Sequence, residues 1–393
     1  MIILKDPLYG FISLEEPFKS LIETEQFQRL RNIKQLGLSY LIYPSAHHSR
    51  FEHSIGAFYL AQKIIEKIST EKAIRKDKIL YGKEFMAAAL LHDIGHYPFS
   101  HAIEKSIGLL NGASHEQQTI NIIRRGKIAE IIKKSKLNIG IICDFIKGGG
   151  KFGKLISGQI DVDRLDYLKR DSYYTGVAYG VIEVDVIIKS MEVVGKKYFV
   201  DEKYLPAFES ILISRYLMYS MVYMHRKTLI ANNMLRAAFE KAISAGEILP
   251  DEIAKFDDID FIAKLRSSKT AAKNLINQIS NRDLYQEAII FKKEDLPNFK
   301  NIKNIKNISK IEKIIADRLE IKNYEILINI LNFPKISESE ILIAPSGKNL
   351  EKASPMVKAL NEAEWNHWLI GVYCPKKHLK KIKKARSLIK KYL

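Results

Sequence analysis

Seven of the chain's ten histidines lie between positions 47 and 115, at His47, His48, His53, His92, His96, His101 and His115, mixed with carboxylates on apolar segments. A lone interior histidine is ordinarily a core residue satisfied by one hydrogen bond. A cluster beside buried acids asks more of a fold, because a carboxylate taken out of water needs a cation or a partner. Neutral imidazole is the commonest metal ligand and also titrates near neutral pH. A fold for this chain is therefore expected to gather separated histidines and acids on a helical scaffold.

Apolar periodicity supplies that scaffold. Beyond His53, residues Ile55, Phe58, Tyr59, Ala61, Ile64, Ile65 and Ile68 follow the spacing of an amphipathic helix. Residues 83–93 (KEFMAAALLHD) read as a second, central helix that Gly95 and Pro98 end. Further helices are expected over about 161–171 and, as one long buried element, over 209–242. Beyond 245 the character changes: Pro250, clustered acids and the Asn/Lys/Ile-rich stretch 298–312 mark a boundary or exposed connections. Residues 340–345 (EILIAP) and 368–375 (WLIGVYCP) read as short strands, each followed by a helical stretch. With 393 residues, the chain exceeds what one core encloses efficiently. The reading is mainly α, a helical domain over 1–244 and a smaller C-terminal helical and mixed α/β region over 245–393.

Composition excludes several classes. A chain that is 47% hydrophobic, with 11 prolines and 20 glycines, is neither disordered nor collagen-like. The apolar start, Met1 to Leu4, is broken by Lys5 and Asp6 before a signal-peptide core forms. The run Phe85 to Leu91 falls far short of the ~20 residues of a membrane span. Cys143 and Cys374 form no CxxC pattern, so neither a disulfide framework nor a thiolate metal cage is expected, which fits a reducing cytoplasm. Half of the net charge of +18 lies in residues 376–393, which hold nine Lys and Arg and no acid. There Leu379, Ile382, Ala385 and Ile389 recur at helical spacing, so a final basic helix is expected to pack one face and leave its lysines solvated. Such a segment can recruit nucleic acid, anionic lipid or a phosphorylated ligand.

The strongest local pattern is LLHDIGHYPFSH (90–101), where His92 and Asp93 end the apolar helix inside the protein. Ligation by His and carboxylate suits Mn, Fe, Zn or Ni, and Mg where waters complete the shell. The ordered set His53, His92-Asp93 and Asp163 resembles the H…HD…D signature of HD-domain phosphohydrolases. The wider context is similar to the branch containing deoxynucleotide triphosphohydrolases, related to the SAM-and-HD-domain enzyme but without a SAM domain. The resemblance rests on SAHHSRFEHSIG (45–56), LLHDIGHYPFSH, HEQ (115–117) and QIDVDRLDYLKRDSYYTG (159–176). DPLYGFI (6–12) and RYLMYSMVYMH (215–225) extend it over about 1–240.

The resemblance implies a helical HD core and roles for individual residues. His53, His92, Asp93 and Asp163 correspond to the metal ligands. Arg50 corresponds to the α-phosphate contact, a role suited to the guanidinium fork. His101 and Glu104 correspond to a catalytic pair, His96 and His115 to further histidines lining the phosphates, and Glu116 to the acid beside His115. Arg164, Tyr167 and Asp171 fall where the family binds phosphates and sugar, and Gln35 where it approaches sugar and base. The implied reaction is attack at the α-phosphate of a dNTP, giving deoxynucleoside and inorganic triphosphate, in a homo-oligomer of two or four subunits. Two alternatives stay open: another HD-type phosphoesterase acting on mono-, guanine or cyclic nucleotides, and a nucleotide-sensing protein that binds nucleic acid. GGGKFGKL (148–155) fits G-x-x-x-x-G-K, but Leu155 stands where a P-loop needs Ser or Thr, so a basic loop leading to Asp163 is expected instead.

Overall fold

A computed structural model describes residues 1–70, 81–110, 112–158, 160–194, 197–296, 307–331, 341–364 and 369–393. The chain is mainly α. At its centre, helix α1 (Arg50–Thr70) packs between α2 (Gly82–Leu91) and the helix that carries Asp163. Eight of the ten residues of α2 are buried, as its Ala- and Leu-rich sequence requires. The turn after it is fixed by close approach. A Cβ on Gly95 would come within 2.2 Å of the Thr119 backbone nitrogen, so only glycine lets α3 (His115–Ile123) rest on this turn. Thr119 then staples the turn, its hydroxyl accepting from Gly95 N–H and donating to the His92 carbonyl.

Helix α4 (Val162–Thr175) starts where Asp161 caps it by accepting from the Arg164 N–H, and ends at Gly176, whose φ of +72° closes the helix. The segment expected as one helix over 209–242 is broken. Helix Leu205–Met218 runs into a π turn over Tyr219–Tyr223, and a new helix, α5 (Arg226–Ser244), begins at a His225 cap. The extra residue of the π turn rotates Tyr223 towards Asp171. The GGGKFGKL segment follows a helix, Ile139–Ile146, and continues into a single 3₁₀ turn over Gly153–Leu155, which is not the strand–loop–helix context of a P-loop. Part of the 298–312 stretch lies outside the described residues, and its end opens helix α6 (Ile308–Arg318).

Small sheets complete the fold. The N-terminal strands β1 (Ile2–Asp6) and β2 (Gly10–Leu14) form an antiparallel hairpin with Asp6 opposite Gly10. Strand Lys197–Asp201 pairs in parallel with Ile341–Ala344, so the C-terminal region returns to the helical core, where Ile343, Leu350 and Val357 are buried. Strands Gln286–Lys292, Leu369–Cys374 and Leu327–Ile330 make a three-stranded antiparallel sheet covered by α6 and the basic segment. That segment is two short helices, Leu379–Lys384 and Arg386–Tyr392, with a break at Ala385 instead of one helix. Ile382 and Ile389 anchor it. A second hydrophobic cluster joins Tyr97, Phe99 and Ile103 to Met234, Phe239, Phe261 and Leu275, so packing continues across residue 244. Among the described residues no helix is long and apolar enough to cross a membrane.

A buried ionic clamp ties α5 to the three-stranded sheet. Arg236 donates to both Glu312 oxygens at 2.5 and 3.2 Å, and Glu312 also accepts from the Ile328 N–H at 2.6 Å. Removing one partner strands a charge in the interior. Arg236→Ala is expected to lower the free energy of unfolding by about 3–5 kcal/mol, read by urea denaturation.

Candidate active site

His53 sits in the first turn of α1, His92 and Asp93 follow α2, and Asp163 lies in the first turn of α4. Packing of these three helices brings the four residues together. His53 Nε2 lies 3.2 Å from His92 Nε2, 3.0 Å from Asp163 Oδ1 and 3.8 Å from Asp93 Oδ2. His92 Nε2 lies 3.4 Å from Asp93 Oδ1 and 3.6 Å from Asp163 Oδ1. Donor atoms bound at about 2.1 Å to one ion sit roughly 3.0–3.4 Å apart, and His53, His92 and Asp93 form a group that fits a divalent cation, with Asp163 Oδ1 near both imidazoles.

The far sides of the rings support the same fit. His92 Nδ1 faces the Ala89 carbonyl at 2.8 Å, and a carbonyl only accepts, so that nitrogen carries the proton. His53 Nδ1 faces the Asp166 carboxylate at 2.8 Å in the same way. In their neutral forms both imidazoles therefore direct bare Nε2 lone pairs at one point, beside two carboxylates. Burial alone would push the His53 imidazole down, yet Asp163 and Asp166 outweigh it and raise it to about 10. Asp163 is held far below the usual carboxylate range by His53 and His92, despite its burial. All of these groups favour a positive charge at the same place.

Asp166 belongs to a buried ladder that the motif reading did not single out. It accepts from Arg170 Nε and Nη2 at 2.8 and 2.9 Å, and Arg170 Nη1 donates to Asp6 at 2.8 Å. A signal for it exists. Positions 163, 166, 167, 170 and 171 of α4 form a polar stripe at helical spacing, which only a buried polar interface explains. The ladder sits in a notch at Gly56, where a Cβ would fall 1.9 Å from Asp166 Oδ1.

The remaining histidines arrange differently from the pairing that the resemblance implies. Glu104 turns away from His101 and accepts from the ring Nδ1 and backbone N–H of His115, at 2.7 and 2.9 Å. One carboxylate meets two donors there, a better match than an exposed ring on its own helix. His101 is exposed, its ring 6.3 Å from that of His96. His96 stacks on His115 at 4.2 Å and reaches Asp93 Oδ1 at 3.1 Å. Burial and the neighbouring Arg50 push its imidazole down to about 3, so it is neutral. Glu116 is exposed on the first turn of α3, outside this cluster.

On the other side, residues 33–35 and 48–50 run antiparallel, with Gln35 N–H bonded to the His48 carbonyl and Arg50 N–H to that of Ile33. Arg50 Nη1 meets Asp93 Oδ2 at 2.6 Å. Asp171 bridges His48 Nε2 and the Tyr223 hydroxyl, each at 2.7 Å. Three buried polar atoms here, Gln35 Oε1, His48 Nδ1 and Arg50 Nε, have no hydrogen-bond partner. Arg164 is held by Asp161 at 2.6 Å beside Asp163, and the Tyr167 ring meets Tyr223 edge-on at 6.2 Å. Of the three unpartnered atoms, Arg50 Nε belongs to the guanidinium that meets Asp93, next to the cluster.

Comparison with known proteins agrees with this geometry. The chain matches the HD domain over residues 50–171 and the HD-associated region over residues 182–390. It is 36% identical over 390 residues to an uncharacterized protein of Methanocaldococcus jannaschii, covering 98% of this chain and 81% of that one. It is 30% identical over 311 residues to a Dictyostelium discoideum protein named deoxynucleoside triphosphate triphosphohydrolase SAMHD1 homolog, covering 72% of this chain and 59% of that one. The crystal structure of a phosphohydrolase from Bacteroides thetaiotaomicron superposes with a TM-score of 0.76 at 27% identity, covering 96% of this chain and all of that one.

The Glu104–His115 pair makes stability depend on pH. Burial would raise Glu104, but the two His115 hydrogen bonds outweigh it and bring the carboxyl from 4.5 to about 2. Its contribution is complete above pH 4.5 and fades as pH falls towards 2. His115 is raised from 6.5 by Glu104 against burial, so its contribution is complete below pH 6.5 and fades as pH rises through the folded value. The stability deficit of Glu104→Gln is expected to be largest between about pH 4.5 and 6.5 and to shrink above it, followed by urea unfolding across pH. A deficit constant from pH 5 to 9 would contradict the pairing.

Proposed function

We propose, from the premise that the chain belongs to the HD-domain family of phosphohydrolases, that it is a metal-dependent nucleotide phosphohydrolase, most concretely a dNTP triphosphohydrolase. The observation that carries this reading is the convergence of the His53 and His92 Nε2 atoms with the carboxylates of Asp93 and Asp163, with Arg50 on Asp93. His53, His92, Asp93 and Asp163 would hold the cation. When bound, a divalent cation neutralises charge on the attacked phosphate and acidifies a water.

The chain's own residues supply the rest. Arg50, anchored by one nitrogen on Asp93, presents the rest of its fork to non-bridging oxygens of the α-phosphate. Neutral His96 donates one hydrogen bond without adding charge. Glu104 fixes the Nδ1–H of His115, which leaves its Nε2 free to accept a proton or return it to the leaving oxygen. The hydrogen bonds of Glu104 to His115 support His115 as its partner, and exposed His101 would meet the outer phosphates. Arg164 extends the cationic lining, more than a monophosphate requires. Gln35, Asp171 and the Tyr167–Tyr223 pair form a polar and aromatic wall suited to sugar and base.

Product analysis tests this with purified protein, Mn²⁺ and a panel of dNTPs and NTPs. Deoxynucleoside plus inorganic triphosphate is expected, lost in Asp163→Ala. Arg50→Ala is expected to lower kcat/KM by about 10²–10³-fold. Mono- or diphosphate products would move the cleaved bond and favour another phosphoesterase. Turnover unchanged in Asp163→Ala would overturn the site.

A further inference from the structure

We propose that Asp6, in the N-terminal hairpin, is a positioning residue for the metal site and acts on His53 through Arg170 and Asp166. The proposal rests on the metal-site reading above. The two oxygens of Asp6 have separate tasks. Oδ1 accepts from the Leu8 and Tyr9 N–H groups at 2.8 and 3.2 Å, which closes the hairpin turn and fixes the carboxylate. Oδ2 accepts from Arg170 Nη1 at 2.8 Å. Arg170 spends its remaining fork on both oxygens of Asp166, and Asp166 Oδ2 meets His53 Nδ1 at 2.8 Å. The chain from hairpin to metal ligand is thus continuous, and Asp6, Asp166 and Arg170 are all buried.

The charge count distinguishes this from simple packing. Two carboxylates and one guanidinium leave one net negative charge in the interior, where apolar side chains would join the elements at lower cost. A cation on the other side of His53 would help offset that charge. By sharing Arg170, Asp6 also leaves Asp166 more basic towards His53, which strengthens His53 as a donor. The Gly56 notch is consistent with this, since it removes the one side chain that would keep Asp166 from Arg170.

The test is Mn²⁺ binding to metal-free full-length protein, by competition with a chromophoric chelator, with melting temperatures recorded alongside. Asp6→Asn is expected to weaken Mn²⁺ by about 10-fold and Asp166→Asn by up to about 100-fold, while Leu14→Ala stays within about twofold. Leu14 is a fully buried residue of the same hairpin, so its variant lowers the melting temperature without touching the ladder. Where Asp6→Asn does not fold, Asp6→Glu carries the test: the charge is kept but displaced, and several-fold weaker binding is expected. Wild-type affinity in the Asp6 variants, or an equal loss in Leu14→Ala, overturns the proposal. Uptake of Mn²⁺ by the wild type without nucleotide turnover removes the catalytic reading and leaves the ladder standing. A wild type that takes up no Mn²⁺ overturns both.

Discussion

Two imidazole nitrogens 3.2 Å apart, each ring backed from its far side by an acceptor, are the constraint on which this molecule turns. The carboxylates of Asp93 and Asp163 add negative charge to the same point, which a proton or a cation there offsets. Such an arrangement stays folded because each group is held from behind. Ala89 holds His92, Asp166 holds His53, and Arg50 and His96 hold Asp93. A cation at the centre would turn these groups into a ligand set.

The surrounding architecture serves that geometry from both halves of the chain. Arg29 spans from the Ile94 and His96 carbonyls to that of Phe256, and so ties the loop after Asp93 to the HD-associated region. Asp258, at the start of helix Asp258–Arg266, accepts from the N–H groups of Lys34 and Phe99. Phe99 has a φ of +47°, an unfavourable conformation for a bulky residue, and the Asp258 bond helps hold it there. One carboxylate therefore steadies both the Gln35 segment and the start of the helix that carries His101 and Glu104. The associated region is part of the site's frame.

Much of this was legible in the sequence where the signal is local. The helices after Arg50, over Gly82–Leu91 and over Val162–Thr175 match segments expected from apolar period and from punctuation by Gly95 and Pro98. What escaped depends on distant partners. Glu104 lies one turn from His101, but its actual partner is 11 residues on, across a loop. The break at Tyr219–Tyr223 contains neither glycine nor proline, so nothing local announces it. The parallel pairing of Lys197–Asp201 with Ile341–Ala344 joins segments more than a hundred residues apart. The Asp6–Arg170–Asp166 ladder lay between these cases, visible as a polar stripe on a buried helix but not assignable to a partner without the fold.

The central claim is that the four converging residues are a metal-ligand set and not a core of protonated histidines. Anomalous X-ray diffraction at the Mn edge, from crystals grown with Mn²⁺, tests it directly. The account predicts one strong peak about 2.0–2.3 Å from His53 Nε2, His92 Nε2 and an oxygen each of Asp93 and Asp163. No peak there, with the two Nε2 atoms still in hydrogen-bond contact, would contradict it.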